Sequence, residues 1–524
     1  MDFSPTDEQA EVIAAVAKRS GSVMVEAGAG CAKTSTVKMA SRGIKVPALG
    51  LAFNKRIADD LQAAVPSNVQ VKTMNGLGHG AWARGPVSGQ KIVLDDRKLA
   101  KIITETMKDR RVKHDEDLWD SVRQLVRSAM QAGLVPAGTG PEGLVADDDQ
   151  GWADCGEAAG LSLGEFAESR DLAKEVLRKN IALAKTGLIS FDDQIYCSTM
   201  LGGRFTQFPV VIVDEDQDLS PLNIRMLGQS LAPGGRIIAV GDKRQAIYAW
   251  RGAAGDSAER IRRLSQSDWT DLPLMTTFRC PKIVVERQQW HVPGFRAWAG
   301  AQAGAFGKWA APERGQWHGW GWQEIAGALP SPRASLAILC RNNAPLVQMA
   351  FRLIKEGIGP RMLGRDIGKG LEKLLHTVSG GDSGASIGAI VGGIETWRQR
   401  ELLAARGASE AKLDGIHDRA DCLLAVAQAE GLRTAQDIVG RIREIFSERE
   451  SQVTLSSIHR AKGLEWDMVV HLDPDRVPSK WARRAEKEGN LVPLEQEWNL
   501  KYVAETRTRH TLVEAWADDW RAGK

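Results

Sequence analysis

Short apolar runs punctuate the chain, each closed by glycine, proline or polar residues. In the first half they are Val23–Glu26, Ala48–Phe53, Pro209–Val213 and Arg236–Val240. Apolar residues at consecutive positions mark a parallel strand buried on both faces. Between these runs the apolar positions recur at helical spacing, as in Arg56 to Val65. Strands alternating with helices predict a doubly wound α/β layer. From about Ala83 to Thr186 the strand signal fades, and helical periodicity with charge takes over in Asp95–Arg111 and Asp117–Gln131. A second strand set is predicted at Ser335–Cys340, Gln452–Ser456 and Met468–Leu472, interrupted by a glycine-rich stretch and a helical block over about 366–449. The predicted layout is therefore two α/β lobes, each split by a helical insert. No repeat or low-complexity tract is visible, which excludes solenoids and long flexible tails.

Composition sharpens this picture in a few places. A chain of 524 residues implies about three to five domains at roughly 100–200 residues each. Lys and Arg number 69 against 66 Asp and Glu, a net charge of +3, so affinity for nucleic acid must come from a local groove and not from the whole molecule. The longest weakly polar stretch, Ala385 to Ile394, is far short of the roughly 20 residues that cross a bilayer, so no membrane partner is expected. The N-terminus MDFSPTDEQ lacks the order of a secretion signal. Six scattered cysteines without CxxC spacing fit a reducing compartment, and the expected location is cytoplasmic, with the nucleoid if the source is bacterial or a phage.

The chemistry-bearing segment is Glu26-Ala-Gly-Ala-Gly-Cys-Ala-Lys-Thr-Ser35, directly after a predicted strand and before a helical pattern. Small residues at Ala27, Gly28, Ala29, Gly30, Cys31 and Ala32 let backbone N–H groups approach phosphate oxygens at a helix N-terminus. Lys33 then reaches the outer phosphates, Thr34 can ligate Mg²⁺, and Ser35 completes the motif. Two letters depart from the phosphate-loop pattern: Ala27 stands at its first glycine, and Ala32 where glycine should precede Lys33. A small-residue turn with an ordinary surface lysine satisfies the same letters. The second signal is Val210-Val-Ile-Val-Asp-Glu-Asp-Gln-Asp218, an apolar strand ending in carboxylates. Ligands of open α/β sheets bind at the carboxyl ends of strands, so Asp214 could hold the metal and Glu215 accept a proton from attacking water. The alternative reading is a solvated loop after a core strand, to which Asp216 and Asp218 would belong.

Next comes Val240-Gly-Asp-Lys-Arg-Gln-Ala-Ile-Tyr-Ala-Trp-Arg-Gly-Ala253, which resembles motif III of the superfamily 1A helicases, the UvrD/Rep-like group. Other segments are similar to that family in the same order: Pro5-Thr-Asp-Glu-Gln9, Ala52-Phe-Asn-Lys-Arg56, Thr73-Met-Asn-Gly-Leu-Gly-His79, Thr277-Phe-Arg-Cys280, Ser457 to Glu465 and Leu500 to Arg507. The resemblance implies two RecA-like parallel-sheet P-loop NTPase lobes, each interrupted by a mainly helical insertion. Its subdomains would be 1–82 with 187–274 (1A), 83–186 (1B), 275–365 with 450–524 (2A) and 366–449 (2B). The short length and Gly364-Arg-Asp-Ile367 look more like the compact phage-type or F-box-helicase-like branch. Asn75 and Thr508 depart from the family letters, and the second insert looks short for the family.

The resemblance also implies roles. ATP with Mg²⁺ would sit between the lobes, with Gln9 reading adenine, Phe278 stacking on it and Glu465 binding the ribose. Gln245 would sense the γ-phosphate, and Arg279 and Arg507 would act as charge-stabilising fingers. Tyr248, Trp250 and Arg251 would grip bases, since an aromatic stacks on any base without sequence preference. Asn54, Lys55, Thr73, His79 and His459 are further candidates for phosphate or sugar contacts. Core packing is the alternative for Tyr248 and Trp250; core or lobe-interface packing is the favoured reading for the tryptophans from Trp290 to Trp322, of which Trp317, Trp320 and Trp322 alternate as in a strand or an edge packing against the second lobe. Trp481 is a candidate strand-separating aromatic or an ordinary surface one. The expected function is an ATP-dependent DNA helicase or translocase on single-stranded DNA and single-strand/duplex junctions, moving 3′→5′. The alternatives are a translocase that strips bound proteins, a weakly hydrolysing single-strand-binding or loading factor, and an enzyme acting on RNA.

Overall fold

The computed structural model describes residues 4–18, 20–52, 54–113, 115–247, 257–309, 320–405, 410–447 and 450–520. The chain forms two units, one over residues 1–27, 32–275 and 405–409, the other over 28–31, 276–404 and 410–524. Tyr248, Trp250, Arg251 and Trp317 lie outside the described residues.

The first unit is built on a six-stranded parallel sheet in the order Val69–Thr73, Ala48–Ala52, Phe208–Asp214, Leu231–Gly241, Ser22–Ala27, Trp269–Leu274. Its inner strands are the consecutive apolar runs, and Ala48–Ala52 is buried at every position. Helix α1 (Asp7–Ala17) starts at a capping box in which the Thr6 hydroxyl accepts from Gln9 N, and the Gln9 side chain accepts from Thr6 N. Helices Lys98–Asp109, Glu116–Ala132, Asp149–Ala158 and Leu163–Lys185 follow in the helical region. They share one core, including Ile103, Leu125, Trp152 and Leu177, with Trp82, Tyr196 and Leu222. Beside that core, Lys98 and Asp193 form a fully buried ion pair at 2.7 Å; Asn180 Nδ2 also donates to Asp193 at 2.6 Å.

The second unit holds another six-stranded parallel sheet, ordered Ala305–Trp309, Thr508–Ala515, Trp466–Leu472, Leu336–Cys340, Val453–Ser457, Arg361–Met362. Helices Arg365–Val378, Ile387–Ala404, Glu410–Ala427 and Ala435–Ile445 are not an independent body. Leu371, Ile390, Leu423 and Ile442 belong to the same buried cluster as Ile338 and Val470 of the sheet. Asp418 adds a polar tie, accepting from the backbone of Asn343 and Ala344, each at 2.9 Å, where helix Ala344–Lys355 begins.

Among the described residues, five strands of these two sheets escape the apolar-run pattern, one of them the two-residue edge Arg361–Met362. Val69–Thr73, Trp269–Leu274 and Ala305–Trp309 lie at sheet edges, where one side faces solvent and polar residues such as Gln70, Asp271 and Lys308 are tolerated. Thr508–Ala515 is interior but opens on polar letters and carries the buried Glu514, paired with Arg287 at 2.7 Å. Of the alternating tryptophans Trp317 lies outside the described residues; Trp320 pairs with Trp520 in an isolated parallel bridge, and Trp322 opens the helix Trp322–Ala328. Trp320 is buried, its indole N–H donating to Trp516 O at 2.8 Å and its ring 4.8 Å from Trp520. Trp290 and Trp298, by contrast, are exposed.

Candidate functional site

The strand Ser22–Ala27 runs into the small-residue loop, and helix α2 (Lys33–Ser41) starts at its end. Ala32, at the N-cap, has φ 56° and ψ 38°, the left-handed region a glycine occupies without cost. The alanine thus keeps the geometry of the letter it replaces, at the expense of backbone strain. Gly28–Cys31 packs with the second unit: Thr277 Oγ1 donates to Ala29 O at 2.8 Å, Ala29 N to Tyr502 Oη at 2.7 Å, and Phe278 N to Gly30 O at 2.9 Å. Gly30 has φ 70°, and a Cβ there would lie 2.5 Å from Arg279 Cβ, so only glycine fits.

In the first unit the neighbouring strand ends bring carboxylates to the start of α2. Lys33 Nζ lies 3.0 Å from Glu215 Oε2, and Thr34 Oγ1 donates to Asp214 Oδ2 at 3.3 Å. Glu215 also has a left-handed backbone, φ 57°. Asp214, Asp216 and Asp242 are all buried. Burial first, and the charge of Glu215 next, push the Asp214 carboxyl up to about 6 against the pull of Lys33. Burial pushes Asp216 up to about 7 against the pull of Lys33, with Glu215, Asp214 and Asp218 adding to the rise, and burial also raises Asp242. For Lys33 burial opposes the ammonium, but Glu215, Asp242 and Asp214 outweigh it and hold the group protonated. The alternative of a solvated loop therefore fails at Asp216, whose carboxylate packs against Gly241.

Gln217 and Asp242 are site residues whose part is not legible in the motif letters. Gln217 Nε2 donates to Glu215 Oε2 at 2.6 Å, its Oε1 accepts from Asp242 N at 3.0 Å, and Gln245 Nε2 donates to Asp242 Oδ2 at 2.7 Å. Glu26, just before the loop, takes Arg244 at 2.6 Å and Lys243 at 2.9 Å. Ser35 is exposed in the first turn of α2. The Gln9 amide donates to Thr36 Oγ1 at 3.0 Å and is buried.

Among the second unit's candidates, Arg279 and Arg509 both pair with Glu465. Arg507 is buried, its Nε donating to Val503 O at 3.1 Å and Nη1 to Leu464 O at 3.3 Å. Phe278 is half-buried, its ring centre 6.1 Å from that of Trp298. His459 is half-buried in the short helix Ile458–Ala461, and Trp481 is half-buried in the helix Lys480–Lys487.

Asn54 comes just after the strand Ala48–Ala52 and Thr73 ends the neighbouring one, Ala52 pairing with Thr73. Each caps a helix: Asn54 Oδ1 accepts from Ile57 N at 2.9 Å and Thr73 Oγ1 from Gly76 N at 3.1 Å. Lys55 is exposed, and His79 Nδ1 lies 3.2 Å from Gln194 Nε2. Asn75, the departure from the family letter, donates to Phe191 O at 2.8 Å.

The donors at the start of α2 suit a hard divalent cation. A hydroxyl and a carboxylate stand 3.3 Å apart, and Mg²⁺ is usually held by one or two carboxylates plus substrate phosphates. Thr34 and Asp214 would hold it, and it would neutralise phosphate charge. Among the described residues no group of three or more His, Cys, Asp or Glu forms a dedicated metal cage, and no helix is long and apolar enough to cross a membrane.

A strand–loop–helix phosphate cradle, with its lysine and hydroxyl facing carboxylates at the end of a neighbouring parallel strand, defines the class of P-loop nucleoside triphosphatases. The UvrD/REP helicase N-terminal domain matches residues 54–264, and the UvrD-like helicase C-terminal domain matches residues 435–518. The chain belongs to the UvrD/REP-like helicase family. It is 28% identical to the ATP-dependent DNA helicase UvrD2 of Mycobacterium tuberculosis, over 58% of this chain and 47% of the relative. It is 21% identical to F-box DNA helicase protein 1 of Schizosaccharomyces pombe, over 97% of this chain and 57% of the relative. With F-box DNA helicase 1 of Gallus gallus the identity is 24%, over 97% and 48%. The chain thus spans about half the length of the curated relatives it matches.

Proposed function

We propose that the chain is an ATP-dependent DNA helicase or translocase that moves on single-stranded DNA, in the 3′→5′ direction. The observation that carries this reading is the joined set Lys33, Thr34, Asp214, Glu215 and Gln245 in one unit, with Gln245 held by the same hydrogen bonds that reach Glu215. Lys33 and the loop amides would hold the triphosphate, Glu215 would take the proton of the attacking water, and Gln245 would register the γ-phosphate. Arg279 and Arg507 would supply positive charge to the transferring phosphoryl group, with Phe278, Glu465 and Gln9 at base and ribose. Asn54, Lys55, Thr73, His79 and His459, with Tyr248, Trp250 and Arg251, would form the strand track. The subdomain boundaries given above go with this reading, as does action on single-strand/duplex junctions in replication, repair or recombination.

Ala32 supports hydrolysis over the weak-turnover alternative, because it adopts the left-handed conformation the loop needs. The test is ATPase activity with and without single-stranded DNA, alongside unwinding of duplexes carrying 3′ or 5′ tails and displacement of a bound protein. Stimulation by DNA, lost in Lys33→Ala, is the expected result. Hydrolysis indifferent to DNA overturns the reading.

A further inference from the structure

We infer that Gln217 is a positioning residue that ties the hydrolytic carboxylate to the loop that senses the γ-phosphate. The inference rests on the reading of Glu215 as base and Gln245 as sensor, and extends it to a residue with no role in that reading. Gln217 sits in the turn Asp216–Asp218 and is 4% exposed. Its amide is divided between two elements, donating to Glu215 Oε2 at 2.6 Å and accepting from Asp242 N at 3.0 Å. Asp242, fully buried, then accepts from Gln245 Nε2 at 2.7 Å. The result is a continuous path, Glu215–Gln217–Asp242–Gln245, between the ends of the paired strands Phe208–Asp214 and Leu231–Gly241.

A carboxamide carries its donor and its acceptor on two separate atoms of one side chain, so it can serve both partners at once. Glutamate at 217 would keep an acceptor for Asp242 N but set a second carboxylate against Glu215; leucine would keep the volume and lose both bonds. The packing leaves little room for another arrangement. A Cβ on Gly241 would fall 1.7 Å from Asp216 Oδ1 and 2.5 Å from Gln217 Oε1, so the sensor strand must end in glycine for the turn to press against it. Glu215 itself has a left-handed backbone, a conformation kept only where its surroundings over-determine it. A shift of the sensor loop would therefore reach the base through one side chain, without Gln217 touching the nucleotide.

The test is steady-state ATPase of the full chain with single-stranded DNA, for wild type, Gln217→Leu, Gln217→Glu, Gln245→Ala and the Gln217→Leu/Gln245→Ala pair, with melting temperatures recorded for each. The expected result is a kcat lowered by about 10-fold or more in both Gln217 variants, with the KM for ATP within about threefold of wild type, as for an interaction used only in the transition state. The double variant should cost little more than Gln245→Ala alone, because coupled residues are not additive. A general loss of folding would lower the melting temperature and, with it, the fraction of active enzyme, so the melting temperatures separate the two cases. If Gln217→Leu melts early, Gln217→Glu, which keeps shape and polarity, decides. A wild-type kcat in a Gln217 variant with the wild-type melting temperature, or fully additive losses in the pair, overturns the inference while leaving the proposed function standing. No DNA-stimulated hydrolysis in the wild type overturns both.

Discussion

Lys33 Nζ lies 3.0 Å from Glu215 Oε2, so the lysine that would grip phosphate and the carboxylate that would activate water are each other's partners. A triphosphate drawn to Lys33 competes with that ion pair. Glu215→Gln removes the competitor along with the base. The expected outcome is kcat lowered by about 10²–10⁴ while ATP binds about two- to fivefold more tightly, the worth of a partly exposed ion pair. A fluorescent-nucleotide titration beside the turnover assay checks the split, and weaker binding in the variant would contradict the competition.

Ala32 pays for its side chain with a left-handed backbone. That conformation costs a non-glycine residue roughly 1–2 kcal/mol. Glycine's greater freedom in the unfolded chain returns about 0.4–1 kcal/mol of the gain. Ala32→Gly should therefore stabilise the first unit by up to about 1 kcal/mol in urea unfolding. A clear loss of stability would mean that the Ala32 methyl makes contacts worth more than the strain.

His471 is fully buried in the strand Trp466–Leu472, and both ring nitrogens lack a hydrogen-bond partner among the described residues. Burial, with Lys501 and Arg287 nearby and Asp475 opposing, lowers its pKa to about 3 from the ordinary 6.5. Below pH 6.5 the unfolded chain takes up a proton that the folded chain refuses. This residue's contribution to stability is therefore intact above about pH 6.5 and lost progressively as pH falls toward about 3. His471→Val should flatten the acid side of the melting curve, gaining more at pH 5 than at pH 7.5. An equal effect at both pH values would show that the ring takes up its proton as readily in the fold as in the unfolded chain.

The Lys98–Asp193 pair is closed to solvent on both sides, with exposures of 1% and 0%. Lys98→Met leaves a buried carboxylate facing Asn180 and the Ser190 amide without its cation. Breaking a buried pair in this way costs about 3–5 kcal/mol. Lys98→Met/Asp193→Asn should recover part of the loss. Denaturant midpoints of the two variants test this, and a double variant worse than the single one would shift the weight to the capping bonds of Asp193.

Letters alone carried much of the layout. The inner strands were legible because a strand covered on both faces must be apolar at every position, as Ala48–Ala52 is. The edge strand Val69–Thr73 was not, because one side meets water and Gln70 and Lys72 cost nothing there. The loop, Lys33, Thr34, Asp214 and Glu215 could be read from spacing, since phosphate approach requires small residues and a helix start at fixed distance. The solvated-loop alternative fails at Asp216 because its buried carboxylate lies against Gly241, a residue 25 positions away whose approach no local pattern records.

The sequence by itself determined the succession of strands and helices, the phosphate loop, and the family, since these are set by local periodicity, small-residue turns and ordered motifs. Only the tertiary structure decided that Gln217 joins Glu215 to Asp242, that Glu465 is shared by Arg279 and Arg509, and that the helices from Arg365 to Ile445 share their core with the second sheet. The physical reason is that hydrogen bonding and burial depend on distances across the sheet, and residues far apart in sequence acquire those distances only when the strands pair.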